Sequence, residues 1–182
     1  MDFGSDKLPI DVLRIARAAG IRVIRDSTVH DLMPGENGKA YFDGSQWVII
    51  YNDSNPKEIS RYTLAHELGH IFLGHEMTHA KYVGTHEFSH RRPSEHQADM
   101  FAQRLLCPAC VLWGLGVHSA EDIASCCVVE QSTAAARSKR MRTLYKRSRF
   151  LCDQLERDVY DNFIPYIQST ASKQNAEPRI QT

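Results

Sequence analysis

Five consecutive residues, His66 to His70, have the types and the spacing that bind zinc and activate a water molecule. They form the pattern H-E-x-x-H inside a run of apolar residues. On an α-helix, residues i and i+4 lie on the same face, so His66 and His70 can bind one metal ion. Glu67, rotated by about 100° around the helix axis, can reach a metal-bound water. With 9 histidines in the chain the pattern can arise by chance, but its apolar, helical context favours zinc.

A catalytic zinc site needs a third protein ligand and an open coordination position. The metzincin class takes that ligand from a downstream histidine and has a glycine before it, but Leu73 and Glu76 occupy these two positions, which excludes the class. Glu95 is the better candidate, because Glu95 and Asp99 are spaced i, i+4 and share one helix face. We expect Glu95 to bind zinc and Asp99 to hydrogen-bond His66 from behind, fixing its tautomer. The alternative is that the two acids form a solvated helix face.

These residues predict metal-assisted hydrolysis of a peptide bond. Zinc in such a site lowers the pKa of its bound water towards neutrality and polarises the scissile carbonyl. Glu67 is expected to take the proton of that water and to deliver it to the leaving amine. A donor that stabilises the oxyanion is also expected. The candidates for this donor stay open: Tyr62, Tyr82, His86 and His90.

The residues around the motif predict a rigid helix beneath it. The helix should run over 56–73, with Asn55 as its cap and Glu58 completing a capping box. A second helix over 95–106 carries the two acids, and the small side chain of Ala98 would let it pack closely against the first. Two packed helices would therefore hold all the candidate ligands.

The rest of the chain predicts a small sheet before these helices and further helices after them. A helix over 8–20 and a strand over 21–24 precede a hairpin with arms at 39–42 and 46–51, turned by Asp43-Gly44. The fold class is α+β, with a small mixed or antiparallel sheet. Loops are predicted over 30–39 and 75–93, helices over 111–115, 119–126, 130–145 and 150–168, and disorder from 171. We divide the chain into a metallopeptidase domain (1–110), a helical part packed on it (111–170) and a disordered tail (171–182).

Composition describes a globular protein with one substantial core: 182 residues, 42% of them hydrophobic and 24% charged. The formal net charge is zero, which argues against bulk attraction to nucleic acid or to a membrane. No segment has the length of a membrane span and no export signal is recognisable, so we expect a cytoplasmic protein. Five cysteines, an odd number, fit that compartment better than a disulfide framework.

The motif and its surroundings resemble the core signature of the ImmA/IrrE metallopeptidases. The resemblance is carried by residues 61–75, by Tyr51-Asn52-Asp53, and by the pattern E-x-x-A-D-x-F-A-x-x-L-L-x-P over 95–108. It covers about residues 7–145. It implies a zincin-like fold in the bacterial cytoplasm, often encoded on a phage or mobile element, and cleavage of a helix-turn-helix repressor. By the family pattern, Glu67 is the catalytic acid/base and zinc has three ligands: His66, His70 and Glu95.

Weaker patterns in the C-terminal part leave alternatives open. Residues 121–137 resemble a helix-turn-helix, although Cys127-Val128-Val129 replaces the usual glycine and capping serine. A basic run over 137–149 could contact DNA phosphates or an acidic repressor surface, but a solvated helix face is favoured. Cys107 and Cys110 form a C-x-x-C that could be a second zinc site or a redox pair, with buried thiols the favoured interpretation.

The leading functional prediction is a zinc endopeptidase that cleaves a helix-turn-helix repressor. One alternative is a non-catalytic regulator that binds DNA or sequesters the repressor. Another is one half of a toxin–antitoxin pair. The complete set of metal ligands and catalytic carboxyl group favours the first of these.

Overall fold

A computed structural model describes residues 6–75 and 93–176 of the chain. Within these ranges it forms a small sheet and a mainly helical remainder, which confirms the α+β prediction. The strands are β1 (Arg22–Arg25), β2 (Gly38–Phe42) and β3 (Trp47–Tyr51). The helices are α1 (Val12–Ala18), α2 (Asp26–Val29), α3 (Lys57–Phe72), α4 (Pro93–Leu106), α5 (Ala109–Gly114), α6 (Ala120–Cys127), α7 (Gln131–Lys146) and α8 (Gln154–Ala176).

The sheet is mixed, with the strand order β1-β3-β2. β1 runs parallel to β3, and β2 pairs with β3 in an antiparallel hairpin. The predicted Asp43-Gly44 turn is confirmed: the Asp43 carboxylate accepts hydrogen bonds from the backbone of Ser45 and Gln46. β3 lies in the centre because its β-branched side chains, Val48, Ile49 and Ile50, are buried.

The start of the motif helix differs from the prediction. Pro56, not Asn55, occupies the cap position of α3, and no side chain caps the helix there. The amide of Asn55 donates instead to the side-chain oxygen of Asn37, at 2.9 Å. The Ser60 hydroxyl anchors the first turn by donating to the backbone carbonyls of Asn52 and Asn55. The prediction of an Asn55 cap was therefore wrong, because a tertiary contact engages that side chain.

Close packing of α3 against α4 sets the geometry of the candidate site. Gly69 faces α4, and a Cβ atom there would lie 3.1 Å from the Cα of Ala98 and 3.2 Å from the Cβ of Phe101. Ala98 is fully buried at this contact. The prediction that Ala98 allows a close approach is confirmed, and Gly69 is its counterpart on the motif helix.

The predicted helices of the C-terminal part are present, and one hydrophobic core runs across the predicted boundary at residue 110. Leu68, Leu106, Val111 and Met141 are all buried in this core. Arg61 of α3 also donates two hydrogen bonds across it, to the carbonyls at the end of α6. The C-terminal helices therefore pack against the motif helix, and the division into domains stays a prediction.

Two further elements correct the sequence analysis. The short helix α2 lies where no helix was predicted, and the Asp26 carboxylate stabilises the turn after it by accepting from the backbone of Asp31 and Leu32. α8 covers Gln154–Ala176, so it begins and ends later than the predicted helix over 150–168, while the disorder predicted from 171 stays a prediction. Residues 177–182 lie outside the described residues.

No helix in the part of the chain that the structure describes is both long enough and apolar enough to cross a lipid bilayer.

Candidate metal centre

Three side chains converge on one point between α3 and α4. The Nε2 atoms of His66 and His70 lie 3.0 Å apart. Glu95 approaches them from α4, with one carboxylate oxygen 3.3 Å from Nε2 of His66 and the other 3.5 Å from Nε2 of His70. The structure thus brings together the three residues that the sequence predicts as ligands.

The separations of these atoms fit a tetrahedral zinc ion. Two ligand atoms that each lie about 2.0–2.1 Å from such an ion are about 3.3 Å apart. The two nitrogens are 3.0 Å apart, and each has a different oxygen of the Glu95 carboxylate at a comparable distance, 3.3 Å for His66 and 3.5 Å for His70. Two imidazole nitrogens and one carboxylate oxygen are also a donor set that zinc accepts, with a fourth position left for water. Within residues 6–75 and 93–176, no second group of three histidine, cysteine or carboxylate side chains converges in this way.

Asp99 lies behind His66, as predicted. Its carboxylate is 3.1 Å from Nδ1 of His66 and also accepts a hydrogen bond of 3.0 Å from the Tyr62 hydroxyl. Burial alone would lower the pKa of His66, but the hydrogen bonds to Asp99 and Glu95 outweigh it and raise the pKa to about 9. The contact places a proton on Nδ1 and so leaves Nε2 facing the other ligands.

The charge on Glu95 is stabilised by its neighbours. Hydrogen bonds from His66 and then His70 hold the pKa of Glu95 far below its usual range, against the opposing effect of burial. Glu95 is therefore an anion at every pH at which the protein would work, which is the form that binds a cation.

Glu67 lies on the neighbouring face of α3 and is buried. Burial raises the pKa of Glu67, and the charges of His66 and His70 only partly oppose this. A raised pKa makes the carboxyl group a stronger proton acceptor, which favours a role as general base. The position of Glu67 is therefore compatible with its predicted role.

A contact behind His70 was missed by the sequence analysis. Nδ1 of His75 lies 3.1 Å from Nδ1 of His70, and Nε2 of His75 lies 2.9 Å from the side-chain oxygen of Gln97 on α4. The sequence placed His75 only at the start of the loop predicted over 75–93. No local spacing links His75 to Gln97, so the contact could not be read from the sequence.

One of the four candidates for the oxyanion donor is engaged elsewhere. The Tyr62 hydroxyl donates its proton to Asp99, so in this conformation it does not serve an oxyanion. Tyr82, His86 and His90 lie outside the described residues, as does most of the loop predicted over 75–93.

Comparison with known protein families agrees with this geometry. The family model of the M78 peptidases, described as the IrrE N-terminal-like domain, matches residues 16–139, more than half of the chain. The chain belongs to this peptidase family. The match spans β1 to β3, both helices of the metal centre and the N-terminal half of α7. The fold is accordingly the zincin-like fold of an M78 domain, and no curated protein matches the chain.

The C-x-x-C cysteines lie in the core. Cys107 and Cys110 are buried free thiols, and burial raises the pKa of Cys110 to about 11. Cys126 and Cys127 lie side by side, with their sulfur atoms 3.6 Å apart. The favoured interpretation of Cys107 and Cys110 as buried thiols is confirmed.

The basic run divides into one structural residue and an exposed face. Arg137 is buried and donates a hydrogen bond of 2.6 Å to the carbonyl of Cys107. The others are exposed along α7 and just after it: Lys139, Arg140, Arg142, Lys146, Arg147 and Arg149. Because Arg137 is buried, it is not available to contact a partner. The function of the exposed face stays a prediction.

Proposed function

We propose that the protein is a zinc-dependent endopeptidase that hydrolyses a peptide bond in a helix-turn-helix transcriptional repressor, in the cytoplasm. The observation that carries the proposal is the convergence of His66, His70 and Glu95 beside the buried carboxyl group of Glu67. Membership of a peptidase family supports the hydrolysis of a peptide bond. The repressor as substrate rests on the resemblance to the ImmA/IrrE metallopeptidases.

The protein's own residues supply the binding, the orientation and the proton transfer. His66, His70 and Glu95 would hold the zinc ion, and Asp99 keeps the His66 imidazole in the tautomer that binds it. When bound, zinc would polarise the substrate carbonyl and acidify a water molecule. Glu67 would accept the proton of the attacking water and pass it to the amine of the departing peptide.

A cleavage assay with and without zinc tests the proposal. The purified protein, loaded with zinc, is mixed with a helix-turn-helix repressor encoded beside its gene. We expect two defined fragments, no fragments after zinc is removed with a chelator, and recovery of cleavage when zinc is returned. Cleavage that survives complete removal of the metal would overturn the proposal.

A second candidate function is a regulator that acts by binding rather than by cleavage. The observation in its favour is the pair α6 and α7, which follows a helix-turn-helix order and exposes basic side chains. Such a regulator would relieve repression equally well as the wild type and as the Glu67→Gln variant. Reporter expression with the two proteins, at matched levels, separates the two functions, because an endopeptidase requires Glu67.

A further inference from the structure

The end of α3 fixes His75 against the second histidine of the motif. Gly74 has a left-handed backbone, with φ of 66°. It lets the His75 amide donate to the carbonyl of His70, at 3.0 Å, while the Gly74 amide donates to Ile71. This is the Schellman arrangement of a helix C-terminus. Both the backbone and the imidazole of His75 are therefore anchored on His70.

The imidazole of His75 then connects His70 to α4. Its Nδ1 is 3.1 Å from Nδ1 of His70, and its Nε2 is 2.9 Å from Oε1 of Gln97. Gln97 lies between Glu95 and Asp99 on the same helix. One turn of α4 thus contributes the candidate ligand Glu95, a direct partner of His66 in Asp99, and a partner of His75 in Gln97.

If Nε2 of His70 binds a metal, the hydrogen bonds fix which ring nitrogen of His70 and of His75 carries a proton. A ring nitrogen that binds a metal carries no proton, so a neutral His70 carries its proton on Nδ1. That proton is donated to Nδ1 of His75, which must then be unprotonated. The proton of His75 is left on Nε2, where it is donated to the carboxamide oxygen of Gln97.

We propose that His75 and Gln97 are positioning residues that hold His70 in the tautomer and orientation that bind zinc, as Asp99 does for His66. The inference rests on the zinc site of the proposed function. The two histidines would then be oriented by different chemistry: a carboxylate behind His66, and a neutral imidazole–carboxamide pair behind His70. A neutral pair orients His70 without adding a negative charge beside Glu67, Glu95 and Asp99.

Zinc affinity, measured by competition with a chromophoric chelator, tests the inference without reference to activity. We expect His75→Phe, which keeps the ring shape but lacks the acceptor, to weaken zinc binding by about 10–100-fold. His96→Phe is the matched control, since His96 is an exposed histidine of α4, and we expect wild-type affinity from it. Equal affinity in His75→Phe and the wild type would overturn the inference.

Variants of Gln97 separate orientation from packing. Gln97 is exposed, so its replacement leaves the core intact. We expect Gln97→Met, which lacks the acceptor oxygen, to weaken zinc binding, and Gln97→Glu, which keeps it, to restore affinity towards that of the wild type. Equal affinities in the two variants would contradict a positioning role.

The outcomes also separate this inference from the proposed function. If the folded wild type binds no zinc, the proposed function itself fails. If the wild type binds zinc and both His75→Phe and Gln97→Met bind it as tightly, only the positioning role fails. Circular dichroism and thermal unfolding of each variant show that the compared proteins are folded.

Discussion

The carboxylate of Asp99 lies 3.1 Å from Nδ1 of His66, while Nε2 of the same ring faces Glu95. The imidazole is therefore held between two acidic side chains of α4, one at each nitrogen. One carboxylate would share the metal with His66, and the other fixes the ring. In this arrangement a zinc ion and a proton would compete directly for Nε2 of His66.

Competition at His66 predicts opposite pH dependences for the metal-free and the zinc-loaded protein. In the metal-free protein the pKa of His66 is raised from 6.5 to about 9. The stability that this gives is present below pH 6.5 and is lost as the pH rises through about 9. Zinc affinity should instead increase over the same range, because fewer protons occupy Nε2.

The variant Asp99→Asn distinguishes the titration of His66 from the titration of other groups in the protein. It removes one of the carboxylates that raise the pKa of His66, so we expect a flatter fall in metal-free stability between pH 6.5 and 9. Urea unfolding of the chelator-treated proteins across this range measures the change. A fall in Asp99→Asn as steep as that of the wild type would show that Asp99 does not raise this pKa.

Gly69→Ala should disturb the metal centre through packing alone. The added Cβ would lie 3.1 Å from the Cα of Ala98, so α4 must shift away. We expect a loss of about 1–3 kcal/mol from overpacking, partly offset by the better helix propensity of alanine, about 1 kcal/mol. Zinc affinity should fall as well, because α4 carries Glu95.

A double variant sharpens the test of Gly69. The close contact involves the backbone Cα and carbonyl of Ala98, not its side chain. Ala98→Gly should therefore fail to restore the zinc affinity or the thermal stability of Gly69→Ala. Wild-type zinc affinity in Gly69→Ala itself would show that the close approach of the two helices is not needed by the site.

The turn between α6 and α7 predicts a stabilising substitution. Val128 has a left-handed backbone, with φ of 53°, which is costly for a β-branched residue. Val128→Gly removes a strain of about 1–2 kcal/mol, and the greater freedom of glycine in the unfolded chain reduces the gain. We expect a small rise in the midpoint of thermal unfolding. Val129→Gly, at a buried neighbouring position, is the control and should lower it.

Local spacing explains which parts of the site the sequence could predict. His66 and His70 share a helix face by their separation alone, and Glu95 and Asp99 do so on a second helix. The small side chain of Ala98 predicted that the two helices pack closely. The structure adds Gly69 as the other half of that contact.

Tertiary contacts explain what the sequence could not predict. Asn55 has the residue type of a helix cap, but its amide is engaged by Asn37 across the fold. The contact between His75 and Gln97 depends on how α4 packs against the end of α3, and no sequence spacing encodes it. The left-handed Val128 shows the same effect, because Arg61 binds the carbonyls of that turn and helps to hold a backbone that its own residue disfavours.

Cleavage of a purified repressor by Glu67→Gln tests the central claim most directly. The zinc-loaded wild type, Glu67→Gln and the exposed control Glu121→Gln are compared on the same repressor, with bound zinc measured in each. We predict that all three bind zinc, that Glu121→Gln cleaves like the wild type, and that Glu67→Gln is slower by about 10²–10⁴-fold. Wild-type cleavage by zinc-loaded Glu67→Gln would contradict the account.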